Sequence, residues 1–271
     1  MGRAKHALFN YLTLSIPAFG KIIKINHMTQ QIQSNTDYLR TILSSNIYDL
    51  AQVTPLQKMD KLSSRLKNNI FIKREDRQPV HSFKLRGAFA MISNLSKAQK
   101  EAGVIAASAG NHAQGVAYAA KLFGVKAIVV MPTTTPLIKV NRTKSYGAEV
   151  ILYGDIYDEA CAYALKLAGE DGMTFIHPFD DEVVATGQGT IAMEIFKELP
   201  TVDYILVPIG GGGLCAGVST LAKMLHPDVK IIGVEPAGAA CMKASLEAGK
   251  VTSLKKVETI ADGTAVRTPG T

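Results

Sequence analysis

Long apolar runs, paired cysteines and early acidic residues are all missing from this 271-residue sequence. No apolar run reaches the ~20 residues that a membrane-spanning helix needs, so no membrane partner is expected. Cysteine is confined to Cys161, Cys215 and Cys241. That number is odd, the spacing wide and no CxxC pair occurs, as suits a reducing, cytoplasmic compartment. The six histidines, His6, His27, His81, His112, His177 and His226, show no ligand spacing with one another or with cysteine, so no metal site is expected. A GxSxG elbow is absent, which removes support for serine-hydrolase chemistry. There is no repeat of fixed period and no low-complexity linker.

Charge excludes a further class. The formal charge is +7, but Arg3, Lys5, Lys21 and Lys24 supply four of these charges before the first acid at Asp37, leaving +3 for the rest. No basic stripe interleaved with aromatics appears, so nucleic acid is not an expected partner. Residues 1–33 stand apart as a basic, acid-free stretch whose apolar segment from Ala7 to Phe19 is broken by Asn10, Thr13, Ser15 and Pro17. They read as a disordered N-terminal extension, or as residues upstream of a true start at Met28; the competing reading is an acid-poor targeting segment.

What is present suits a large globular chain, since 47% apolar residues fill a sizeable core in one α/β domain or two compact lobes. Apolar spacing predicts helices over Asp37–Leu43 and Leu56–Leu66, then a strand at Asn69–Lys73. The charge cluster Arg74-Glu75-Asp76-Arg77 reads equally as a solvated turn or as a functional cluster. From Val104 onward, strands alternate with helices: strands Val104–Ala107, Ala127–Met131, Glu149–Tyr153, Thr174–Ile176, Tyr204–Pro208 and Lys230–Val234, helices at about His112–Phe123, Pro136–Tyr146, Tyr157–Ala168, Glu182–Leu199 and Leu214–Leu225. The strands are β-rich apolar runs with little polar alternation, as in parallel sheets covered by helices on both faces.

Three stretches carry candidate chemistry. In Ser82-Phe83-Lys84-Leu85-Arg86-Gly87-Ala88, Ser82 reads as an N-cap, which places Lys84 in the first turn of a helix among apolar neighbours. The helix dipole and burial both push such an amine toward its neutral form, the form a Schiff-base lysine needs. In Ser108-Ala109-Gly110-Asn111-His112-Ala113-Gln114-Gly115, small residues let a flat ligand approach the backbone after a strand, and Asn111 offers a donor and an acceptor. The run Gly210-Gly211-Gly212-Gly213-Leu214 lies between a strand and a helix, where free N–H groups form a phosphate cradle. The same run, read as Gly211-x-Gly213-x-x-Ala216 with Glu235 ending the next strand, also satisfies a dinucleotide fingerprint. A dinucleotide-binding oxidoreductase or binding module therefore stays open as a rival class.

The three stretches in this order, together with Val53-Thr54-Pro55-Leu56, the run from Lys73 to His81 and Gly187 to Thr190, resemble the fold-type II pyridoxal-phosphate enzymes, and among them the threonine dehydratases of biosynthetic type. The resemblance covers about residue 36 to the end. It implies an α/β fold of two lobes, each a mostly parallel sheet flanked by helices in three αβα layers: a small lobe at 98–175 inserted into a large lobe of 34–97 and 176–271. It implies pyridoxal 5'-phosphate bound through Lys84, with Asn111 on the ring 3-oxygen, the N–H groups of Gly210 to Leu214 on the phosphate, and Ser108, Ala109, Gly110, Asn111 and His112 along the substrate. The implied reaction is the dehydration and deamination of L-threonine to 2-oxobutanoate and ammonia, a lyase step of isoleucine biosynthesis, in a homo-oligomer, a tetramer at full length. Serine dehydratases and serine racemases share much of this apparatus, so L-serine is an alternative substrate. Racemases of this group carry a second acid for a divalent ion where Cys241 stands here, which disfavours that branch. Residues 261–271 supply no finishing helix or strand, so the large lobe is expected to be incomplete at its C-terminus and the chain to have little or no activity.

Overall fold

A computed structural model of the chain describes residues 35–43 and 46–271; the expectation for 1–33 lies outside the described residues. Helix α1 spans Asn35–Leu43. Strand β1 (Leu56–Lys58), helix α2 (Asp60–Leu66) and strand β2 (Phe71–Lys73) follow. Next come α3 (Lys84–Ser93) and α4 (Lys97–Ala102), the latter opened by a capping box between Ser96 and Gln99. The alternating part consists of β3 (Val104–Ala107), α5 (Asn111–Leu122), β4 (Ala127–Met131), α6 (Leu137–Ser145), β5 (Glu149–Leu152), α7 (Tyr157–Asp171) and β6 (Thr174–Phe175). It continues with α8 (Glu182–Glu198), β7 (Tyr204–Pro208), α9 (Gly213–Leu225), β8 (Lys230–Val234) and α10 (Cys241–Ala248). Beyond α10 the backbone is irregular apart from one turn of 3₁₀ helix at Asp262–Thr264.

Strands β5, β4, β3 and β6 form a parallel sheet in that order, and β7 pairs with β8 in a second parallel sheet. The period of two along each strand divides the first sheet's residues between two cores. Val104, Ala106, Val129 and Met131 join Ala113, Val116 and Ala120 of α5 and Leu85, Phe89 and Ile92 of α3. Ile105, Ala107, Ile128 and Val130 face Ala160 and Ala164 of α7. The β3 and β4 strands are thus buried on both faces, as their unbroken apolar runs require.

Three expectations need correction. Leu56–Lys58 is not helical: it pairs antiparallel with β2, Leu56 opposite Lys73 and Lys58 opposite Phe71, and the ladder bonds hold these residues extended before α2 starts at Asp60. The lysine helix starts at Lys84 and not directly after Ser82, whose Oγ accepts from the Lys84 N–H at 3.2 Å and so still serves the helix entry. Strand β7 is covered on one face only among the described residues: Ile205 and Val207 are buried, while Tyr204 and Leu206 are exposed.

The charge cluster after β2 also divides. Arg74 and Asp76 pair with each other at the surface, whereas Glu75 turns inward to the Arg86 guanidinium, which is fully buried. Arg86 lies between two carboxylates, with Nε and Nη2 each 2.8 Å from Glu75 oxygens and Nη1 2.6 Å from Glu194 Oε1. Glu194 also pairs with Lys73 at 2.6 Å and accepts from the Tyr48 hydroxyl at 3.0 Å and the Thr54 N–H at 3.3 Å. Two cations therefore face two anions with most lone pairs satisfied, the condition under which buried charge is tolerated. Burial alone would raise the Glu194 pKa, but hydrogen bonding and charge from Arg86 and then Lys73 outweigh it and hold the carboxyl below its ordinary range.

Helix packing is close because glycines face backbone. A Cβ at Gly187 of α8 would lie 2.6 Å from the Arg86 carbonyl oxygen of α3, and one at Gly217 of α9 would lie 2.0 Å from the Ala185 oxygen of α8. Gly217→Ala is expected to destabilise by at least the roughly 1–3 kcal/mol typical of overpacking, whereas Gly169→Ala on α7, with open space around it, should be neutral or stabilise by up to about 1 kcal/mol; urea unfolding of both variants checks the contrast. Glu194→Gln, which leaves Arg86 and Lys73 short of one carboxylate, should cost about 3–5 kcal/mol in the same assay.

Candidate active site

In the first sheet the chain leaves β3 toward β4 and β5 and then returns to add β6 on the other side of β3. Ligands of open α/β sheets bind at such a switch point, outside the strands' carboxyl ends. The segments there are Ser108–Gly110 after β3 and Ile176–Asp181 after β6. Lys84, first residue of α3, reaches the second of them: its Nζ donates to the Pro178 carbonyl at 2.7 Å. The Phe83 ring lies beside its ammonium, with the ring centroid 5.3 Å away. No described carboxylate pairs with it. Burial of the amine end pushes its pKa down to about 8. On α5, a Cβ at Gly115 would come 3.0 Å from the Leu85 nitrogen and the Lys84 carbonyl carbon, so glycine there lets α5 close on the start of α3.

The loop after β3 is built to present N–H groups. Ser108 N–H stays in the sheet pattern, donating to the Val130 carbonyl at 3.1 Å, and Gly110 N–H donates to Ser108 Oγ at 3.2 Å. The N–H groups of Ala109, Asn111 and His112 donate to no described acceptor and lie at the positive end of α5. Asn111 is exposed. The His112 ring turns away into the core, where Nε2 lies 2.8 Å from the Ile176 carbonyl and must donate to it. Burial, then the Lys84 charge, pushes this imidazole down to about 3, so it stays neutral. Only the backbone of His112 thus remains for a ligand.

After β7, the five N–H groups of Gly210 to Leu214 likewise donate to no described acceptor, and α9 starts at Gly213. Gly212 has φ +103°, the left-handed region that glycine enters without strain. A Cβ at Gly211 would fall 2.1 Å from the Phe179 ring, and one at Gly213 would fall 2.4 Å from the Phe179 carbonyl oxygen. The cradle is therefore pressed against the same turn that holds Lys84. Turn Ile176–Asp181 touches all three candidate stretches: Ile176 through His112, Pro178 through Lys84, and Phe179 through the glycines. Sequence reasoning missed Pro178 and Phe179, which carry no catalytic side chain; His177 was considered only as a metal ligand. Asp181 ends the turn as the N-cap of α8, where its Oδ1 accepts from Val184 N–H at 2.9 Å.

Residues 47–271 match the family model described as pyridoxal-phosphate dependent enzyme. The chain belongs to that family. Among curated relatives, the biosynthetic L-threonine dehydratase of Haemophilus influenzae is 57% identical over 247 residues, 90% of this chain and 48% of the relative. The Escherichia coli protein of the same name is 53% identical over 234 residues, 86% of this chain and 46% of the relative. The chain thus spans about half the length of the curated relatives it matches. Among solved structures, the processed form of threonine deaminase isoform 2 from Solanum lycopersicum superposes with a TM-score of 0.86 at 51% identity, over 88% of this chain and 69% of that one. Maize serine racemase gives 0.83 at 35% identity, over 86% and 70%.

The donor set fits the family's cofactor: a desolvated amine for an aldehyde, and unpartnered N–H groups at a helix start for a phosphate. The dinucleotide rival loses its acid. Both Glu235 oxygens accept backbone N–H groups, from Met242 and Lys243 at 2.9 Å each, so the carboxylate caps α10 and has no ribose-facing role. Cys241, at the start of that helix, is buried with Sγ 3.7 Å from the Gly210 carbonyl, beneath the glycine loop.

Lys84 is held in an environment that disfavours its charge, so removing it should stabilise the cofactor-free protein. Its native pKa is lowered from 10.5 to about 8. The ammonium is therefore penalised at pH 7, and the penalty vanishes as both states become neutral above about pH 10.4. Lys84→Met is expected to gain roughly 1–3 kcal/mol at neutral pH and less at pH 10, allowing for its partial exposure and the lost bond to Pro178. Denaturant unfolding of the apo forms at the two pH values measures this.

Proposed function

We propose that this chain catalyses the dehydration and deamination of L-threonine to 2-oxobutanoate and ammonia, an ammonia-lyase step of isoleucine biosynthesis carried out in the cytoplasm. The observation that carries this reading is the Lys84 amine, desolvated, free of any described carboxylate and aimed by the Pro178 carbonyl. Lys84 would hold the cofactor's aldehyde carbon, the N–H groups of Gly210 to Leu214 its phosphate, and Asn111 its ring oxygen. Pyridoxal phosphate, when bound, supplies an electron-withdrawing ring that takes up the electron pair released at the substrate Cα.

The remaining work falls to the chain. The N–H groups of Ala109, Asn111 and His112, with Ser108 and Gly110 shaping the loop, suit a substrate carboxylate at the positive end of α5. With a pKa of about 8, roughly a tenth of the Lys84 amine is neutral at pH 7, and Nζ, once the substrate's amine has displaced it from the cofactor, accepts the Cα proton as general base. The β-hydroxyl leaves as water, and water returns in the hydrolysis that frees ammonia, so threonine balances against 2-oxobutanoate plus ammonia. Residues 98–175, holding the four-stranded sheet, serve as a small lobe set into a large one formed by 34–97 and 176–271. Three unpaired cysteines suit the reducing compartment.

Threonine is favoured over serine as substrate by the higher identity to relatives named threonine dehydratase, 50–57%, than to maize serine racemase, 35%. The test is to incubate the protein with pyridoxal phosphate and either amino acid and measure the keto acid. Threonine should yield 2-oxobutanoate faster than serine yields pyruvate, and Lys84→Ala should abolish both. Pyruvate forming faster from serine than 2-oxobutanoate from threonine, or turnover surviving in Lys84→Ala, contradicts the reading.

A further inference from the structure

The turn after β6 is itself held by an imidazole that the proposed reaction does not use. His177 Nδ1 accepts from Asp180 N–H at 2.8 Å and from Phe179 N–H at 3.3 Å. Its ring stands edge to face with Phe179, centroids 4.9 Å apart, and against Phe175 at 6.1 Å. Two donors converging on Nδ1 require a lone pair there, so the neutral ring carries its hydrogen on Nε2. Each neighbour of His177 grips another part of the cleft. The Ile176 carbonyl receives His112, the Pro178 carbonyl receives Lys84, and Phe179 backs Gly211 and Gly213. A shift of the turn therefore moves the anchor of the amine and the floor of the glycine loop together.

We propose that His177 is a positioning residue, whose neutral Nδ1 sets the turn that aims Lys84 and seats the glycine loop, and whose protonation releases both. The inference rests on reading the cleft as the cofactor site. A proton on Nδ1 puts a third donor against two N–H groups, and both hydrogen bonds are lost. The groups facing the ring divide in sign. Burial acts first and disfavours the imidazolium, the Asp180 and Asp181 carboxylates favour it, and the Lys84 ammonium opposes it; the balance leaves His177 below its ordinary 6.5. His112, on the other side of Ile176, stays neutral throughout. Because the native pKa lies below the unfolded one, the hold is complete above about pH 6.5 and is lost as pH falls through the native value.

The experiment compares the wild-type holoenzyme with His177→Asn, whose amide oxygen stands near the place of Nδ1 and does not titrate, and with His177→Leu, which has no acceptor. Nitrogen NMR of labelled histidine reports the tautomer, and absorbance titration reports pyridoxal-phosphate affinity between about pH 5 and 8, the titration range of histidine. Expected are an Nε2–H tautomer and a wild-type affinity that falls about tenfold or more toward pH 5, the loss of one to two hydrogen bonds. His177→Asn should flatten that acid limb, and His177→Leu should weaken binding about tenfold or more at every pH, a loss that asparagine rescues. A ring protonated at Nδ1 near pH 7.5, or an acid limb unchanged in His177→Asn, overturns the proposal. If His177→Leu fails to fold, as its melting curve would show, the asparagine comparison alone decides. If serine is turned over faster than threonine, the functional reading falls, while tautomer and cofactor titration still decide the role of His177.

Discussion

The buried guanidinium of Arg86, clamped between Glu75 and Glu194, is the constraint on which the site's geometry depends. Arg86 lies two residues after Lys84 in the same first turn of α3, so whatever fixes the guanidinium fixes the backbone that carries the amine. The clamp draws on distant parts of the chain: Gln52 and Thr54 before β1, Lys73 and Glu75 around β2, and Thr190 and Glu194 on α8. A hydrophobic contact would bury the same helix without direction. Bidentate ion pairs give angle and register as well, and catalytic groups need both.

Around this clamp, backbones are brought together by the absence of side chains. Gly115 lets α5 meet the start of α3, Gly187 lets α8 meet the same helix, and Gly217 lets α9 meet α8. Glycine within helices has a propensity penalty of about 1 kcal/mol each. Here it lets α5 and α8 converge on the first turn of α3, so that Lys84 is set by rigid elements and not by a loop of its own.

The same economy governs the charges. Among the described residues Lys84 has no carboxylate partner, while Arg86, six atoms of backbone away, has two. One cation is thereby kept ionised and inert, and the other is pushed toward the neutral amine that can react. Among the described residues, the N–H groups of Ala109, Asn111, His112 and Gly210 to Leu214 have no protein partner, while those of Phe179, Asp180 and Val184 are satisfied by His177 and Asp181. The unsatisfied groups mark where a ligand is expected; the satisfied ones belong to the frame.

Much of this was legible in the residues alone. Strands β3, β4, β7 and β8 were placed to the residue, because unbroken β-branched runs have no helical alternative of that length. Lys84, the Ser108–His112 loop and the glycine run were visible as residue types out of place in ordinary turns. Local pattern failed at Leu56–Lys58, whose extended form depends on pairing with β2. It failed at Glu75, which shares a charge cluster with solvated neighbours and turns inward only because Arg86 waits there. It also failed at Glu235, which fits a nucleotide fingerprint in sequence and caps a helix in space. Pro178 and Phe179 announce nothing as residue types. Their roles come from a carbonyl and a ring placed by the crossover from β5 to β6, and a contact between residues 94 positions apart leaves no periodic trace in the sequence. The sequence by itself determined which groups are chemically able to act; the tertiary structure decided which of them meet, because burial and hydrogen bonding are properties of neighbours in space.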